Sequence, residues 1–87
     1  MDVPTKFQVF DHPISLPSKD EERLSHLLLG WMRLAPRMVG LNEPDLQRLI
    51  VMELLGKQRS KIVKRLLGRL KVVHGSLVER RVMALIK

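Results

Sequence analysis

Residues 54–78 constrain the fold more than any other part of the chain. This stretch carries seven Lys or Arg residues and not one Asp or Glu. If it is wound as an α-helix, at about 100° per residue, its apolar side chains form one stripe and most of its cations face the other way. The stripe consists of Ile62, Val63, Leu66, Leu67, Leu70 and Val73. The pattern therefore predicts a helix with one face buried in a core and a basic ridge in solvent.

The basic ridge is the predicted functional surface. Several like charges at i,i+4 spacing repel one another by roughly 0.2–0.5 kcal/mol a pair, so a helix that keeps them usually has an anionic partner. Gln58 and Arg65 are the predicted base readers, and the lysines are predicted phosphate contacts. The candidate nucleic-acid-binding residues are Lys57, Gln58, Arg59, Lys61, Lys64, Arg65, Arg69 and Lys71.

Length and composition limit the alternatives. The 87 residues suffice for one domain with a small core, and 45% of them are apolar. The basic stretch has no aromatic residue, which argues against single-strand binding by base stacking. The chain has no cysteine, which excludes disulfides and thiol catalysis, and no apolar run of membrane-spanning length. A cytoplasmic protein without a cofactor is the expectation.

Charge is unevenly distributed along the chain. The net charge is +7, yet residues 1–30 hold three basic and five acidic groups, whereas residues 31–87 hold thirteen basic and four acidic groups. Such asymmetry favours attraction to nucleic acid, an anionic membrane surface or an acidic protein.

The N-terminal segment, residues 1–17, is predicted to be an extended arm preceding a helical domain at residues 18–87. Pro4, Pro13 and Pro17 make a regular helix improbable there. The arm is nevertheless apolar enough to lie across a neighbouring surface, and a short strand at residues 6–10 is one option. Phe7 and Phe10, together with Trp31, are the predicted anchors of a partner or homodimer interface.

Two helices are predicted before the basic one. The first begins near Lys19 with the capping box Ser18-x-x-Glu21 and ends at Pro36. The second follows an N-cap at Asn42 and continues to residue 56, where a glycine is the predicted left-handed cap.

The basic helix is predicted at residues 58–74. Gly75 and the capping box Ser76-x-x-Glu79 favour a break and a fourth helix, and a single kinked helix to residue 87 is the alternative. The chain is thus predicted to be all-α, with three or four short helices.

The second and third predicted helices have the approximate spacing of a helix-turn-helix. Ile62 and Val63 lie six and seven residues after Gly56, where that motif places the pair that packs its two helices together. Lys57 and the bulky Met52 depart from the motif. A DNA-reading helix-turn-helix and a plain antiparallel hairpin both remain open.

Three other functions were weighed against DNA binding. The ridge suits a groove on an acidic protein, which is the main alternative. A membrane-active helix is disfavoured because the stretch lacks Trp and Phe at the lipid boundary. Catalysis and metal binding have little support: the only metal-like spacing is Glu22 and His26, and no enzyme motif is present.

One part of the chain resembles a known group of proteins. The segment Leu41-Asn-Glu-Pro-Asp-Leu46, followed by Lys57-x-Arg59-x-x-Ile62-x-x-Arg65-Leu66-x-x-Arg69, is similar to small uncharacterised helical proteins of tailed bacteriophages. The resemblance covers about a third of the chain and implies a phage context. Small basic proteins of that setting bind DNA or capture a host protein, so a phage regulator and an inhibitor of an acidic host protein are the two expectations.

Overall fold

The computed structural model describes residues 3–10, 13–70 and 75–86, with the backbone alone for residues 75–79. Five α-helices follow one another: α1 (Ser18–Ser25), α2 (Trp31–Met38), α3 (Glu43–Leu55), α4 (Ser60–Leu70) and α5 (Gly75–Leu85). Short 3₁₀ turns lie at Thr5–Phe7 and His26–Leu29, and the described residues include no strand. The all-α class predicted from the sequence is confirmed.

Helix α3 is the centre of the bundle. Eight of its thirteen residues are buried, and at about 100° per residue they cover about two thirds of the helix circumference, whereas a surface helix buries a single stripe. Its N-terminus is the one predicted, because the Asn42 Oδ1 accepts a hydrogen bond from the Asp45 backbone N–H at 2.9 Å. Leu49, Ile50 and Val51 are completely buried and hold α3 against its neighbours.

The first predicted helix is divided in the structure. The chain leaves α1 through the 3₁₀ turn, and the extended backbone of Gly30 separates it from α2. Pro36 lies inside α2, so the prediction that it ends a helix is wrong. It lies on the exposed side of α2, where water can satisfy the carbonyl that loses its helical donor. The Ser18 capping box is also wrong: the N-cap is Pro17, without a side-chain hydrogen bond.

The turn between α3 and α4 uses a different residue from the one predicted. Gly56 has φ −106°, and the left-handed residue is Gln58, with φ 54°. The Gln58 backbone N–H donates to the Glu53 carbonyl at 2.8 Å, and its side-chain amide donates to the Leu54 carbonyl at 3.1 Å. These two bonds hold a conformation that a non-glycine residue seldom adopts.

The N-terminal segment is irregular and packs into the core of the helices. The Gln8 Oε1 accepts from the Ile14 backbone N–H at 2.9 Å, and the Gln8 amide donates to the Ile14 carbonyl at 3.3 Å, so the Gln8 side chain holds Ile14 beside it. Residues 6–10 include part of a 3₁₀ turn and no strand. Five apolar side chains of the segment are buried with those of the helices: Phe7, Val9, Phe10, Ile14 and Leu16.

The basic helix buries part of the predicted stripe: Leu67 and Leu70 are only partly buried, and Val73 lies outside the described residues. Ile62, Val63 and Leu66 of α4 are buried, as is Val82 of α5. Helix α5 begins at Gly75, and the joint at residues 71–74, which would distinguish a fourth helix from one kinked helix, lies outside the described residues. The Ser76 capping box lies among residues whose side chains are likewise not described.

Candidate nucleic-acid interface

The basic ridge consists of the exposed cationic side chains of α4 and of the turn before it. Helix α4 contains no acidic residue, and its buried stripe turns the cations toward solvent. None of the ridge cations pairs with a carboxylate among the side chains that the structure describes. The members are Lys57, Lys61, Lys64, Arg65 and Arg69, and all are exposed.

The last turn of the ridge contains a glycine, Gly68, beside Arg69. Gly68 lies seven residues after Lys61, so the two positions fall almost on one line along the helix, about 10 Å apart at 1.5 Å per residue. A Cβ added at Gly68 would meet none of the described atoms within 4 Å, so no described contact requires a glycine there. A mid-helix glycine costs about 0.5–1 kcal/mol relative to alanine. The ridge thus combines cations with a point where another molecule can approach the backbone closely.

Two arginines join the ridge to α2. The Arg65 guanidinium carbon lies 4.1 Å from the centre of the Trp31 ring. Stacking of this kind holds the guanidinium plane while leaving its N–H donors free at the edge. The Arg69 Nη2 donates to the Val39 carbonyl at 3.2 Å. Arg65 and Arg69 are therefore the ridge cations with a fixed orientation.

Two predicted site residues, Arg59 and Gln58, form hydrogen bonds within the fold. Arg59 donates from its backbone N and its Nε to the Glu53 Oε2, at 2.8 and 2.9 Å, and from its Nη2 to the Glu53 Oε1 at 2.9 Å. The same Nη2 donates to the Leu28 carbonyl at 2.7 Å. Glu53 is 2% exposed, and its hydrogen bonds raise the pKa of Arg59. Arg59 thus locks the turn between α3 and α4, and the Gln58 amide is bonded within that turn.

Glu53 is the structural residue that the sequence predictions missed. The signal available was an acid in the otherwise apolar stretch of residues 49–55, six residues before a basic one. Lys71, the last predicted site residue, lies outside the described residues.

The other well-buried acid is also matched to arginine. The Arg23 Nη1 and Nη2 donate to the two Asp45 carboxylate oxygens at 3.2 and 2.9 Å, and the Arg48 Nη1 donates to the Asp45 Oδ1 at 3.2 Å. Arg23 also bonds to Asp20 at 3.1 Å. The hydrogen bond from Arg23 is the main cause that lowers the pKa of Asp45. This network ties α1 to α3 and cancels charge, unlike the ridge.

The predicted partner anchors are placed differently from one another. Phe7 and Phe10 are 9% and 7% exposed, so almost all of each ring is covered by this chain. Trp31 is half-buried and lines a cleft of about 480 Å³ beside Lys61, Ile62 and Arg65. Three large apolar side chains near it are exposed to solvent and were not predicted. This apolar strip is Leu29, Met32 and Val39.

Neither a metal centre nor a membrane span is found in the part of the chain that the structure describes. Its His, Asp and Glu side chains form no group of three that could hold an ion. Its helices are too short or too polar to cross a bilayer. Comparisons with family models, with curated proteins and with solved structures found no match to this chain.

Proposed function

We infer that this protein binds duplex DNA non-catalytically, through phosphate contacts made by the basic ridge. The observation that carries this inference is the contrast in pairing: both well-buried acids are matched to arginine, whereas the five ridge cations have no carboxylate partner among the described residues. Unmatched cations along one helix face suit a polyanion, and duplex DNA presents one charge per about 1.7 Å of its axis.

The shape of the ridge also suits a duplex. From Lys61 to Arg69 it extends about 12 Å at 1.5 Å per residue, and a major groove about 12 Å wide admits an α-helix. Lysines are point charges on flexible stems and contact phosphates without reading sequence. Arg65, held against Trp31, is the ridge residue best suited to read a guanine edge. The proposed binding is therefore weakly specific, as for a small phage regulator.

A titration of a fluorescent 25-base-pair duplex at several salt concentrations tests this proposal. With Arg65 at a base edge, four phosphate contacts by the other ridge cations predict a slope of log K against log salt of about −3.6, since each contact contributes about −0.9. Binding that is absent at low salt, or that does not change with salt, contradicts the proposal.

An acidic protein partner is the second candidate, and the apolar strip favours it. Leu29, Met32 and Val39 are 64%, 85% and 72% exposed, and they lie in or next to α2, the helix that Arg65 and Arg69 contact through Trp31 and the Val39 carbonyl. Aliphatic and basic side chains together suit an acidic amphipathic helix better than they suit DNA. Co-purification with and without nuclease separates the candidates, because nuclease removes only a nucleic-acid partner.

The homodimer predicted from composition competes for the same strip. Sedimentation of the wild type and of Met32→Glu measures the oligomeric state. A dimer that uses the apolar strip should dissociate in the variant. A monomer in both cases leaves the strip available to another protein.

A further inference from the structure

A second basic surface lies on the side of α2 away from the ridge. Arg33 and Arg37 are about 160° and 120° around the helix from Trp31, at 100° per residue. They line a cleft of about 660 Å³ between α1, the 3₁₀ turn that follows it, and α2. The remaining lining residues are Arg23, His26, Leu27, Pro36, Gly40 and Leu41. The cleft shares no lining residue with the ridge or with the cleft at Trp31.

The cleft has a one-sided charge. No acid is among the described residues that line it, and α2 contains no acid. Arg33 and Arg37 are one helical turn apart and exposed, and neither forms an ion pair with a described carboxylate. Like charges at this spacing repel, so the arrangement lowers the stability of α2 unless an anion lies between them. Arg23 differs, because its terminal nitrogens are already bonded to Asp20 and Asp45.

Part of the cleft wall is apolar. Leu27 and Leu41 are half-buried. Pro36, which lies between the two arginines in the sequence, also lines the cleft. A volume of about 660 Å³ lies within the range of about 300–1,000 Å³ in which small-molecule sites fall. A ligand that fits both features carries an anionic group for the arginines and an apolar or aromatic body for the walls.

We propose that this cleft binds the phosphate group of a small molecule of nucleotide size, with Arg33 and Arg37 as its ligands. Guanidinium groups favour phosphate because their N–H donors match its oxygens two at a time. Leu27, Pro36 and Leu41 cover the body that carries the phosphate. The site is independent of duplex binding by the ridge, and either one can exist without the other.

The test is a set of backbone-amide NMR titrations of the full chain with AMP, inorganic phosphate and adenosine. We expect saturable amide shifts with AMP at residues 26–27, 33–35, 37 and 40–41, with weaker binding of inorganic phosphate and no saturation with adenosine. The Arg33→Gln/Arg37→Gln variant should weaken AMP binding at least about tenfold, because it removes charge-assisted hydrogen bonds. Circular dichroism of this variant checks that α2 remains folded.

The matched control is Lys61→Gln/Lys64→Gln, which removes two cations from the ridge and should leave AMP binding unchanged. Shifts that follow the ridge, or AMP binding that survives loss of both arginines, overturn the proposal. So does absence of any saturable AMP binding. A duplex titration of Arg33→Gln/Arg37→Gln identifies the source of the phosphate: unchanged duplex affinity supports a small ligand, and loss of duplex affinity without AMP binding overturns it.

Discussion

The two charged regions of this protein use arginine for opposite purposes. Between α1 and α3, and in the turn before α4, arginines neutralise the carboxylates of Asp45 and Glu53 and connect helices. On the basic ridge, cations stand one helical turn apart with no described carboxylate beside them. Pairing determines which role a charge has: a matched charge contributes to the fold, whereas an unmatched exposed one slightly opposes it and is available to a partner.

The strongest test of this comparison replaces one paired arginine and one ridge arginine by glutamine. Arg59→Gln leaves Glu53 buried without its partner and should lower the free energy of unfolding by about 3–5 kcal/mol. Arg65→Gln removes an exposed cation stacked on Trp31 and should cost less than about 1 kcal/mol. Urea denaturation measures both changes. If both variants lost the same free energy of unfolding, pairing with a buried carboxylate would not distinguish a structural arginine from a ridge arginine.

Asp45→Asn tests the matched network between α1 and α3. The substitution removes a carboxylate that accepts from Arg23 and Arg48, so we expect a loss of about 1–3 kcal/mol at pH 7. Denaturation followed by circular dichroism provides the measurement, and Glu43→Gln, an exposed acid on the same helix, is the control. A loss of stability no larger than that of the control would show that the Asp45 network does not stabilise the fold.

Acid should weaken the same network. The hydrogen bond from Arg23 holds the pKa of Asp45 below the unfolded value of 3.8. A carboxylate whose pKa is lowered by folding contributes stability above its unfolded pKa and loses it as pH falls through the folded pKa. The wild type should therefore lose stability as pH falls below about 4. Asp45→Asn should show a shallower loss, and an identical pH dependence in both proteins would contradict this cause.

Gly68→Ala gives the smallest effect and separates stability from binding. Helix propensity predicts a gain of about 0.5–1 kcal/mol, because the new methyl group meets none of the described atoms and the glycine's backbone freedom is removed. Duplex affinity should fall if DNA approaches the backbone there. Thermal denaturation and the duplex titration provide the two readings. A destabilised variant would show that Gly68 has a packing role within the chain.

Much of the fold follows from local sequence signals, and the exceptions have tertiary causes. Asn42 and the stripe of Ile62, Val63 and Leu66 were predictable because capping and periodicity are local. The prediction that Pro36 ends a helix failed because a new helix starts at Trp31, and the exposed side of α2 tolerates the missing N–H. The prediction of Gly56 as the left-handed residue failed because side-chain and backbone hydrogen bonds hold Gln58 in that conformation.

The candidate site was predictable as a charge pattern but not as a set of contacts. Arg59 and Arg65 look alike in the sequence, six residues apart in the same basic run. Only the folded chain brings Glu53 and the Leu28 carbonyl to Arg59, and Trp31 to Arg65. Likewise, periodicity could not reveal that Phe7 and Phe10 are buried by their own chain, since the course of the N-terminal segment depends on contacts such as those between Gln8 and Ile14.

The central claim is that the position of the cations on the ridge, and not total charge, produces binding. The most direct measurement compares Lys61→Glu/Lys64→Glu with Lys6→Glu/Lys19→Glu, because both variants lower the net charge of +7 by the same amount. We predict that the ridge variant loses at least about a hundredfold in duplex affinity at low salt and has a shallower salt slope, while the control stays near the wild type. Equal losses in the two variants, or no loss in the ridge variant, would contradict the account.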